Sequence, residues 1–273
     1  MILADKYYIE NLRKIINLKQ KDSNPRPRYL DGTPAYTYFI TQVFEKYSIS
    51  LEEFPITTLR NTAIKTGIKE ILWIYQEQSN SLKKANEMGI KWWDEWNIGD
   101  ETIGKRYGYT VGTYKLIDEL LEGLIKNPFG RRHIISLYQY EHLKNSKGLY
   151  PCAFETLWSV TNDGKLDLTL IQRSNDYVTA GYINKIQYVA LQMMIANSVG
   201  LKPGNFAHLV QNLHIYDRHL IAVEELLNSK PLEVQPKLIF TPKTNDFYSY
   251  NINDFMVENK INRKLESKLE IAI

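Results

Sequence analysis

The sequence predicts an α+β protein in which helices lie on either side of one block of strands. Three short runs in the middle of the 273-residue chain are rich in β-branched and aromatic residues, and segments with helical periodicity precede and follow them. The strands follow one another directly, which argues against a regular βαβ series. With 44% hydrophobic residues the chain can bury a large core, so we predict one domain spanning residues 1–273.

The N-terminal part of the chain is predicted to contain a helix, an ordered loop and a strand. The opening helix covers roughly Asp5–Leu18 and is amphipathic. Residues 20–36 concentrate Pro, Gly, Asp and Asn, which is typical of a loop. An alternating pattern around Tyr38–Tyr47 then indicates a strand.

A second, largely buried helix is predicted over Leu59–Gln78, where apolar residues recur at helical spacing. Glu70 lies within its apolar region, and a carboxylate in such a place is costly unless it has a role or a partner. Residues 91–112 are rich in aromatics and glycine without a clear period, so we predict a loop or insert there. Helical periodicity returns over Thr113–Lys126 and ends at Asn127–Gly130.

The middle of the chain is predicted to form strands. The turn signal Thr161–Gly164 joins the second and third of them into a hairpin. The predicted strands are RRHIISLY (131–138), CAFETLWSV (152–160) and KLDLTLIQ (165–172).

The C-terminal part returns to helical periodicity. One helix is predicted after Asn184, with Gly200 as its C-cap, and a second over Leu213–Leu227. From about Leu238 the pattern indicates a strand followed by irregular segments.

Composition restricts the functional classes. A single cysteine excludes an intramolecular disulfide and a cysteine-based zinc cluster, and it favours a reducing compartment such as the cytoplasm. No apolar run has the length of a signal peptide or a membrane span, so no membrane partner is expected. The formal net charge of +3 is too small to indicate nucleic-acid binding by itself.

Several arginines are placed to bind one phosphate. Arg131 and Arg132 precede a strand, and Arg173 ends another. With Arg26 or Arg28 from the early loop, up to four guanidinium groups could converge on one dianion, a geometry that suits arginine. The alternative is that these arginines are ordinary solvated surface charges.

Cys152, the only cysteine, begins a predicted strand. Such a residue is usually a small buried filler. A thiol becomes a nucleophile where nearby cations lower its pKa, and a phosphate site with three or four arginines would supply that surrounding. The combination therefore favours a nucleophile, although Cys152 alone would not.

At these residues the chain resembles the thymidylate synthase family. The resemblance runs nearly end to end, since DGTPAY, KEILWIYQ, WDEW, TIGKRYG, LKPGNF and a final Ile-Ala-Ile also follow the family order. It implies a mixed β-sheet flanked by helices, with a sheet face forming a dimer interface. The motifs that carry it are Arg131-Arg132, Pro151-Cys152, QRSND (Gln172–Asp176), Asn184 and HIY (His214–Tyr216).

The resemblance implies a folate-dependent one-carbon transfer to C5 of dUMP. Cys152 would add to C6 of the pyrimidine, and Glu70 would organise a proton network at C4 and C5. Asn184 would pair with the uracil edge, because an amide offers both a donor and an acceptor. Gln172 and Tyr107 would complete the wall near the nucleophile. The residues implied for phosphate and sugar are Arg26 (or Arg28), Arg131, Arg132, Arg173, Ser174, His214 and Tyr216.

The implied co-substrate is 5,10-methylenetetrahydrofolate, and no metal is expected. Asp176 would hydrogen-bond the pterin ring. The implied assembly is a homodimer in which Arg131 and Arg132 reach the phosphate site of the other subunit. The residues implied to cover the folate and exclude water are Trp93, Trp96, Leu149 and Ile273.

Some segments depart from the family pattern. Where the family has Leu-Gly-x-Pro-Phe-Asn, this chain has Thr179–Asn184 (TAGYIN), and Gln211-Asn212 replaces a usual Gly-Asp. These changes bear on the hydride-transfer step more than on attack at C6. They leave open a deoxyuridylate hydroxymethylase of the phage type, in which water captures the methylene group. A third alternative is a non-catalytic homologue that binds nucleotide or, weakly, RNA.

Overall fold

The computed structural model describes residues 1–144 and 147–273. Its main feature is a mixed sheet of strands β1 (Thr37–Ser48), β2 (Ile134–Ser136), β3 (Ala153–Val160), β4 (Lys165–Gln172), β5 (Asn175–Asp176) and β6 (Lys202–Tyr216). The spatial order is β1-β6-β4-β3-β2, and β5 pairs with β6 beyond the end of β4. The contacts of β6 with β4 and β5 are parallel, and the other pairs are antiparallel. The predicted α+β class is therefore confirmed.

Helices flank this sheet. The most buried is α7, whose side chains are covered almost all the way round because it packs between the sheet and α2. The helices are α1 (Leu3–Leu18), α2 (Ile64–Ile71), α3 (Leu82–Glu87), α4 (Gly108–Thr113), α5 (Leu116–Lys126), α6 (Tyr140–Leu143), α7 (Gly181–Ser198) and α8 (Leu220–Asn228). A separate two-stranded ribbon pairs β7 (Lys237–Phe240) with β8 (Phe255–Glu258). Within residues 1–144 and 147–273, no helix is both long and apolar enough to cross a bilayer.

The predicted hairpin at Thr161–Gly164 is confirmed and positions the single cysteine. Thr161 and Lys165 close the turn, and Gly164 adopts the left-handed conformation with φ +73°. A β-bulge at Phe154 then shifts the register of β3 against β4. As a result Cys152 lies opposite Arg173, whose backbone N–H donates to the Cys152 carbonyl at 2.9 Å. Without the bulge Ala153 would occupy that place.

The prediction of a helix starting near Leu213 is wrong, because the chain is extended through Tyr216. Strand β6 pairs with β1 along almost all of its length and ends there, and α8 begins only at Leu220 after a turn at Asp217–His219. The pairing partner, more than 160 residues away in sequence, decides the conformation of this segment. His214 therefore lies in a strand and not at a helix start.

Other boundaries differ from the predictions for local reasons. The helix predicted over Leu59–Gln78 begins at Ile64 and ends in a π-helical turn at Leu72–Gln76. The helix predicted from Thr113 begins at Leu116, because Lys115 has a positive φ that breaks it. The region 91–112, predicted as a loop, contains the short helix α4.

The outer face of the sheet carries an apolar strip. Phe44 on β1 is opposite Leu209 on β6, which is opposite Ile171 on β4. Phe44 is 55% exposed and Leu209 37% exposed. An apolar row on an exposed sheet face is a typical protein–protein contact surface.

Candidate active site

One cavity of about 740 Å³ lies at the ends of β3, β4 and β6, bordered by α2 and the first turn of α7. Its volume lies in the range of small-molecule binding sites. The structure brings nearly all of the predicted site residues to this cavity. They are Arg26, Glu70, Trp93, Trp96, Tyr107, Leu149, Cys152, Gln172, Arg173, Ser174, Asp176, Asn184, His214, Tyr216 and Ile273.

The thiol of Cys152 faces this cavity beside a guanidinium group. Nη2 of Arg173 lies 3.5 Å from Sγ, and the same side chain is held by the carbonyl oxygens of Tyr150 at 2.7 Å and Pro151 at 3.0 Å. Burial raises the pKa of the Cys152 thiol, while the charges of Arg173 and Arg26 lower it. The net direction is upward, so the expected lowering by arginine is present but is outweighed by desolvation.

The loop before β1 brings Arg26, and not Arg28, to the cavity. Arg26 lines it and acts electrostatically on Cys152 and Tyr216. The guanidinium of Arg28 turns back to the carbonyl oxygen of Pro25 at 3.4 Å. Of the two alternatives left open by the sequence, Arg26 is therefore the one placed at the site.

Glu70 is buried on α2 and reaches the cavity as the periodicity predicts. Nε1 of Trp92 donates to its Oε2 at 2.5 Å. Burial raises the pKa of Glu70 to about 7, partly offset by the polar N–H groups of Trp92, Trp93 and Gln187 nearby. A carboxyl group with a pKa near neutrality can both give and take a proton at physiological pH.

An aromatic wall closes one side of the cavity. Trp93 packs edge-on against Tyr107 with ring centroids 5.2 Å apart, and Trp96 and Leu149 lie along the same wall. The hydroxyl of Tyr107 accepts a hydrogen bond from the backbone N–H of Cys152 at 3.1 Å. Tyr107 has φ +50°, an unfavourable backbone conformation for a bulky residue, and such strain is concentrated at functional positions.

Asn184 is held by neighbouring amides at the cavity wall. Its Oδ1 accepts from Gln172 at 3.1 Å and from Asn175 at 3.2 Å, and its Nδ2 donates to Gln187 at 3.0 Å. Gln172 also donates to the carbonyl oxygen of Ser174 at 2.9 Å. Both lone pairs of the Asn184 oxygen are therefore used. Of the donor and acceptor that the sequence predicts for this amide, only the N–H donor remains for a ligand.

The end of β6 supplies a second polar edge. Nδ1 of His214 lies 3.1 Å from Oδ1 of Asn212, and the ring of His214 packs against that of Tyr216 at 5.5 Å. Asp176 pairs with His214 in the β5–β6 ladder. Burial lowers the pKa of His214, partly offset by the charge of Asp176, so the ring is neutral near pH 7.

The segment that departs from the family pattern also lines this cavity. Thr179, Ala180 and Ile183 face it, and the backbone N–H of Thr179 donates to Asp176 at 3.1 Å. Arg60 anchors the segment from behind through the carbonyl oxygen of Val178. The hydroxyl of Thr179 is buried and lacks a hydrogen-bond partner within the described residues.

Arg131 and Arg132 lie elsewhere. They are exposed in the turn between α5 and β2, on a depression that they share with Phe129 and His133. The structure of the single chain therefore does not bring them to Cys152.

The C-terminal tail lies against the Arg26 loop. The backbone groups of Ile273 and Arg28 exchange two hydrogen bonds of 2.7 and 2.9 Å. Arg218 holds Glu270 of the tail and Asp31 of the loop, at 2.7 Å each. We call these three charged side chains the tail clip. Nε2 of His219 lies 2.9 Å from the carbonyl oxygen of Glu270 and adds a further contact.

Sequence reasoning missed several residues of this site. Trp92, next to the predicted Trp93, is the side chain that contacts Glu70, and no periodicity in an irregular segment could distinguish the two. Gln187 lies one helical turn after Asn184, and that spacing on α7 could have indicated it. His208 could not have been found, because strand β6 itself was not predicted over this segment.

Together the fold and the site define an enzyme in which a thiol beside arginines and a carboxyl group with a raised pKa share one cavity. A sequence profile of the thymidylate synthase family matches residues 6–272. The chain belongs to that family.

Individual relatives extend this result over the whole chain. Thymidylate synthases from Streptococcus gordonii and Lactococcus lactis subsp. cremoris are each 45% identical, with 100% of both chains covered. The enzyme from Streptococcus sanguinis is 46% identical over the same extent. The structure of thermostable thymidylate synthase A from Bacillus subtilis superposes with a TM-score of 0.91 at 36% identity, covering 99% of each chain.

Proposed function

We propose that this protein is a thymidylate synthase that converts dUMP to dTMP with 5,10-methylenetetrahydrofolate. The observation that carries the proposal is the shared cavity, which is lined by Cys152 just before β3, Arg173 just after β4, Glu70 of α2 and Asn184 of α7. Each has the chemistry that its role requires. The family membership and the similarity to bacterial thymidylate synthases support the same reaction.

Cys152 is the nucleophile in this proposal. Its thiol would lose a proton to water, the sulfur would add to C6 of the pyrimidine, and C5 would gain the electron pair with which it bonds to the one-carbon unit. Loss of the C5 proton to water, departure of the folate nitrogen, hydride transfer from the folate and release of sulfur from C6 would then complete the methyl group. Arg173, 3.5 Å from Sγ, stabilises the thiolate. With Arg26 and Ser174 it also binds the phosphate of the nucleotide. His214 and Tyr216 lie at the strand end, where the sugar hydroxyl would be bound.

Glu70 handles protons in this proposal. Because its pKa is about 7, the carboxyl group exchanges a proton with the C4 oxygen, or with water beside it, without a large energetic cost. Trp92 fixes the orientation of the carboxyl group. Tyr107 fixes the backbone at the nucleophile, and Gln172 holds Asn184.

The remaining cavity wall fits a folate. The aromatic side chains of Trp93 and Trp96 suit stacking on a pterin, and Asp176 offers a polar contact at the same wall. Such a co-substrate supplies the one-carbon unit and then the hydride. Leu149 and Ile273 exclude water from the site, which favours hydride capture over hydration of the methylene group.

We also propose a homodimer that is formed through the outer face of the sheet. The apolar strip of Phe44, Leu209 and Ile171 supports this surface. The partner would bring Arg131 and Arg132, which the single chain leaves exposed, to the phosphate site. RNA binding and a cytoplasmic location remain predictions from the sequence.

Mass spectrometry of the nucleotide product tests the reaction. The protein is incubated with dUMP and methylenetetrahydrofolate, and dihydrofolate is followed by absorbance in the same tube. We expect dTMP and dihydrofolate in equal amounts. Formation of 5-hydroxymethyl-dUMP with tetrahydrofolate would instead assign the hydroxymethylase reaction. Nucleotide binding without any product would assign a non-catalytic homologue.

A further inference from the structure

A chain of hydrogen-bonded side chains runs along one wall of the cavity, which Gln172, Asn184 and Gln187 line, to the buried His208. Nε2 of Gln187 donates to the carbonyl oxygen of Gly67 at 3.2 Å, and Nδ2 of Asn184 donates to Oε1 of Gln187 at 3.0 Å. Nε2 of Gln172 donates to Oδ1 of Asn184 at 3.1 Å, and Nε2 of His208 lies 2.9 Å from Oε1 of Gln172. This amide chain joins α2, α7, β4 and β6 through one line of polar groups.

Backbone carbonyls fix the direction of each donor in the amide chain. A carbonyl oxygen only accepts, so Gly67 requires Nε2 of Gln187 to face it. The carbonyl oxygen of Ser174, 2.9 Å from Nε2 of Gln172, sets Gln172 in the same way. The oxygen of Gln172 therefore faces His208, and Nε2 of His208 carries the ring proton.

The surroundings of His208 keep that ring neutral. Burial lowers its pKa well below the usual value, and the positive charge of Lys185 lowers it further. Lys185 is itself paired with Glu45 at 2.6 Å, and both side chains are buried. A neutral His208 ring with its proton on Nε2 can only donate to Gln172. The hydrogen bonds of the amide chain therefore have one stable donor-to-acceptor direction.

This direction determines what Asn184 offers to a ligand. Its oxygen accepts from Gln172 and Asn175, and one of its two Nδ2 protons goes to Gln187. The second proton has no partner within the described residues, and Asn184 lines the cavity. A pyrimidine with a keto oxygen at C4 meets a donor here, whereas an amino group at C4 would place two donors against each other.

We propose that Gln187 and His208, at the two ends of the amide chain, are positioning residues that make the site select 4-keto over 4-amino pyrimidine nucleotides. His208 is fully buried, and Gln187 lines the cavity with its Nε2 donating to the carbonyl oxygen of Gly67. They act through Asn184, whose orientation they fix from opposite sides. The inference rests on the proposed function, because it names the base that the same site accepts.

The packing of α2 on α7 supports a specific role for Gln187. A Cβ atom on Gly67 would lie 3.0 Å from Cγ2 of Ile183 and 3.2 Å from Cγ of Gln187. Only glycine lets the α2 backbone come this close to α7 without displacing a neighbour. The close approach brings the Gly67 carbonyl within reach of the Gln187 amide.

Nucleotide binding without folate tests the inference. The dissociation constants of dUMP and dCMP are measured by calorimetry for the unaltered protein, Gln187→Met and His208→Phe. Gln192→Met is the matched control, since Gln192 is a fully buried glutamine of the same helix. It donates to the carbonyl oxygens of Leu166 and Asn205, which are not part of the amide chain. Should Gln187→Met fold poorly, Gln187→Glu replaces it, because a carboxylate cannot donate to Gly67.

We expect the ratio of the dCMP to the dUMP dissociation constant to fall about tenfold in both chain variants, the effect of one hydrogen bond. The ratio should stay unchanged in Gln192→Met and recover in His208→Gln, which restores an N–H. An unchanged ratio in Gln187→Met and His208→Phe, or an equal fall in Gln192→Met, overturns this inference and leaves the proposed function standing. Failure of the unaltered protein to bind dUMP overturns the proposed function instead.

Discussion

In the proposed reaction, the sulfur of Cys152 is the atom that turns nucleotide binding into catalysis. In the proposed reaction Cys152 forms a covalent bond to the pyrimidine, whereas Arg173 and Asn184 bind it without one. We expect Cys152→Ser to lower turnover by about 10³-fold or more, because a serine hydroxyl in this place has no base strong enough to activate it. Its affinity for dUMP should stay close to that of the unaltered protein. Activity measurements and calorimetry on the same sample check both halves.

Glu70 links activity to stability through its raised pKa. The unfolded chain protonates this carboxyl group near pH 4.5, but the folded protein does so near pH 7, so the folded state binds more protons between these values. Stability therefore falls as pH rises from about 4.5 to 7. Above pH 7 the buried carboxylate costs about 3 kcal/mol.

Glu70→Gln removes this cost, since an amide does not ionise and can still accept from Trp92. We expect the variant to be more stable than the unaltered protein by up to about 3 kcal/mol near pH 8 and nearly equal to it near pH 4.5. Urea denaturation at both pH values measures the difference, and turnover should be lost at the same time. A stability gain that does not depend on pH would contradict the assigned pKa.

At this scale the sequence identified the reactive groups but not the side chains that hold them. Cys152, Glu70 and Asn184 could be predicted because their types and order carry the chemistry. Trp92 and His208 could not, because their roles depend on distances between elements that are far apart in sequence. Hydrogen-bond partners of this kind leave no periodic pattern.

The C-terminal tail and the Arg26 loop act as one element because the tail clip joins them. Arg218, from the turn before α8, contacts Asp31 of the loop and Glu270 of the tail. We expect Arg218→Ala to raise the KM for the folate several-fold and to weaken dUMP binding as well, because the loop that Arg218 holds through Asp31 also carries Arg26. High salt should raise the KM of the unaltered protein for the folate in the same way, since salt screens exposed ion pairs.

Lys237→Ala provides the control for this prediction. Lys237 forms an ion pair with Glu52 that is also partly exposed but lies on another part of the surface. Steady-state kinetics at low and high ionic strength compare the two variants. Equal effects in both would show that the tail clip has no special role in folate binding.

Short elements with local signals were predicted better than long-range pairings. The hairpin turn at Thr161–Gly164 contains its own signal in Asp-Gly, and both flanking strands were found. The end of β6 was predicted as helix, because its strand conformation depends on pairing with β1. The bulge at Phe154 was equally invisible in the sequence, although it determines which residue lies opposite Arg173.

For the whole molecule, the fold class predicted from the sequence is confirmed, whereas the homodimer that the resemblance implies stays a prediction. We expect the protein to be a dimer in solution. Phe44→Glu combined with Leu209→Glu should give monomers, because both side chains lie on the exposed apolar strip of the sheet. Ile221→Glu is the control, since Ile221 is 72% exposed on α8. Light scattering after gel filtration measures the mass of each species.

Mixing two inactive variants tests whether the site is shared between subunits. Cys152→Ser lacks the nucleophile, and Arg131→Ala combined with Arg132→Ala lacks the predicted partner arginines. A mixed dimer contains one site with both features intact, so we expect up to about one quarter of the normal activity after subunit exchange at equal amounts. A mixture as inactive as its components would place Arg131 and Arg132 outside the phosphate site.

The hairpin turn at Thr161–Gly164 lies at the far end of β3 from Cys152 and offers a place to attach a label. Its turn residues Asn162 and Asp163 are exposed, and eight residues of β3 place them roughly 25 Å from the thiol. The turn closes the hairpin between Thr161 and Lys165, and the bulge at Phe154 sets the final register near the thiol. A fluorescent label or an affinity peptide inserted between Asn162 and Asp163 would therefore report on the enzyme without changing its chemistry.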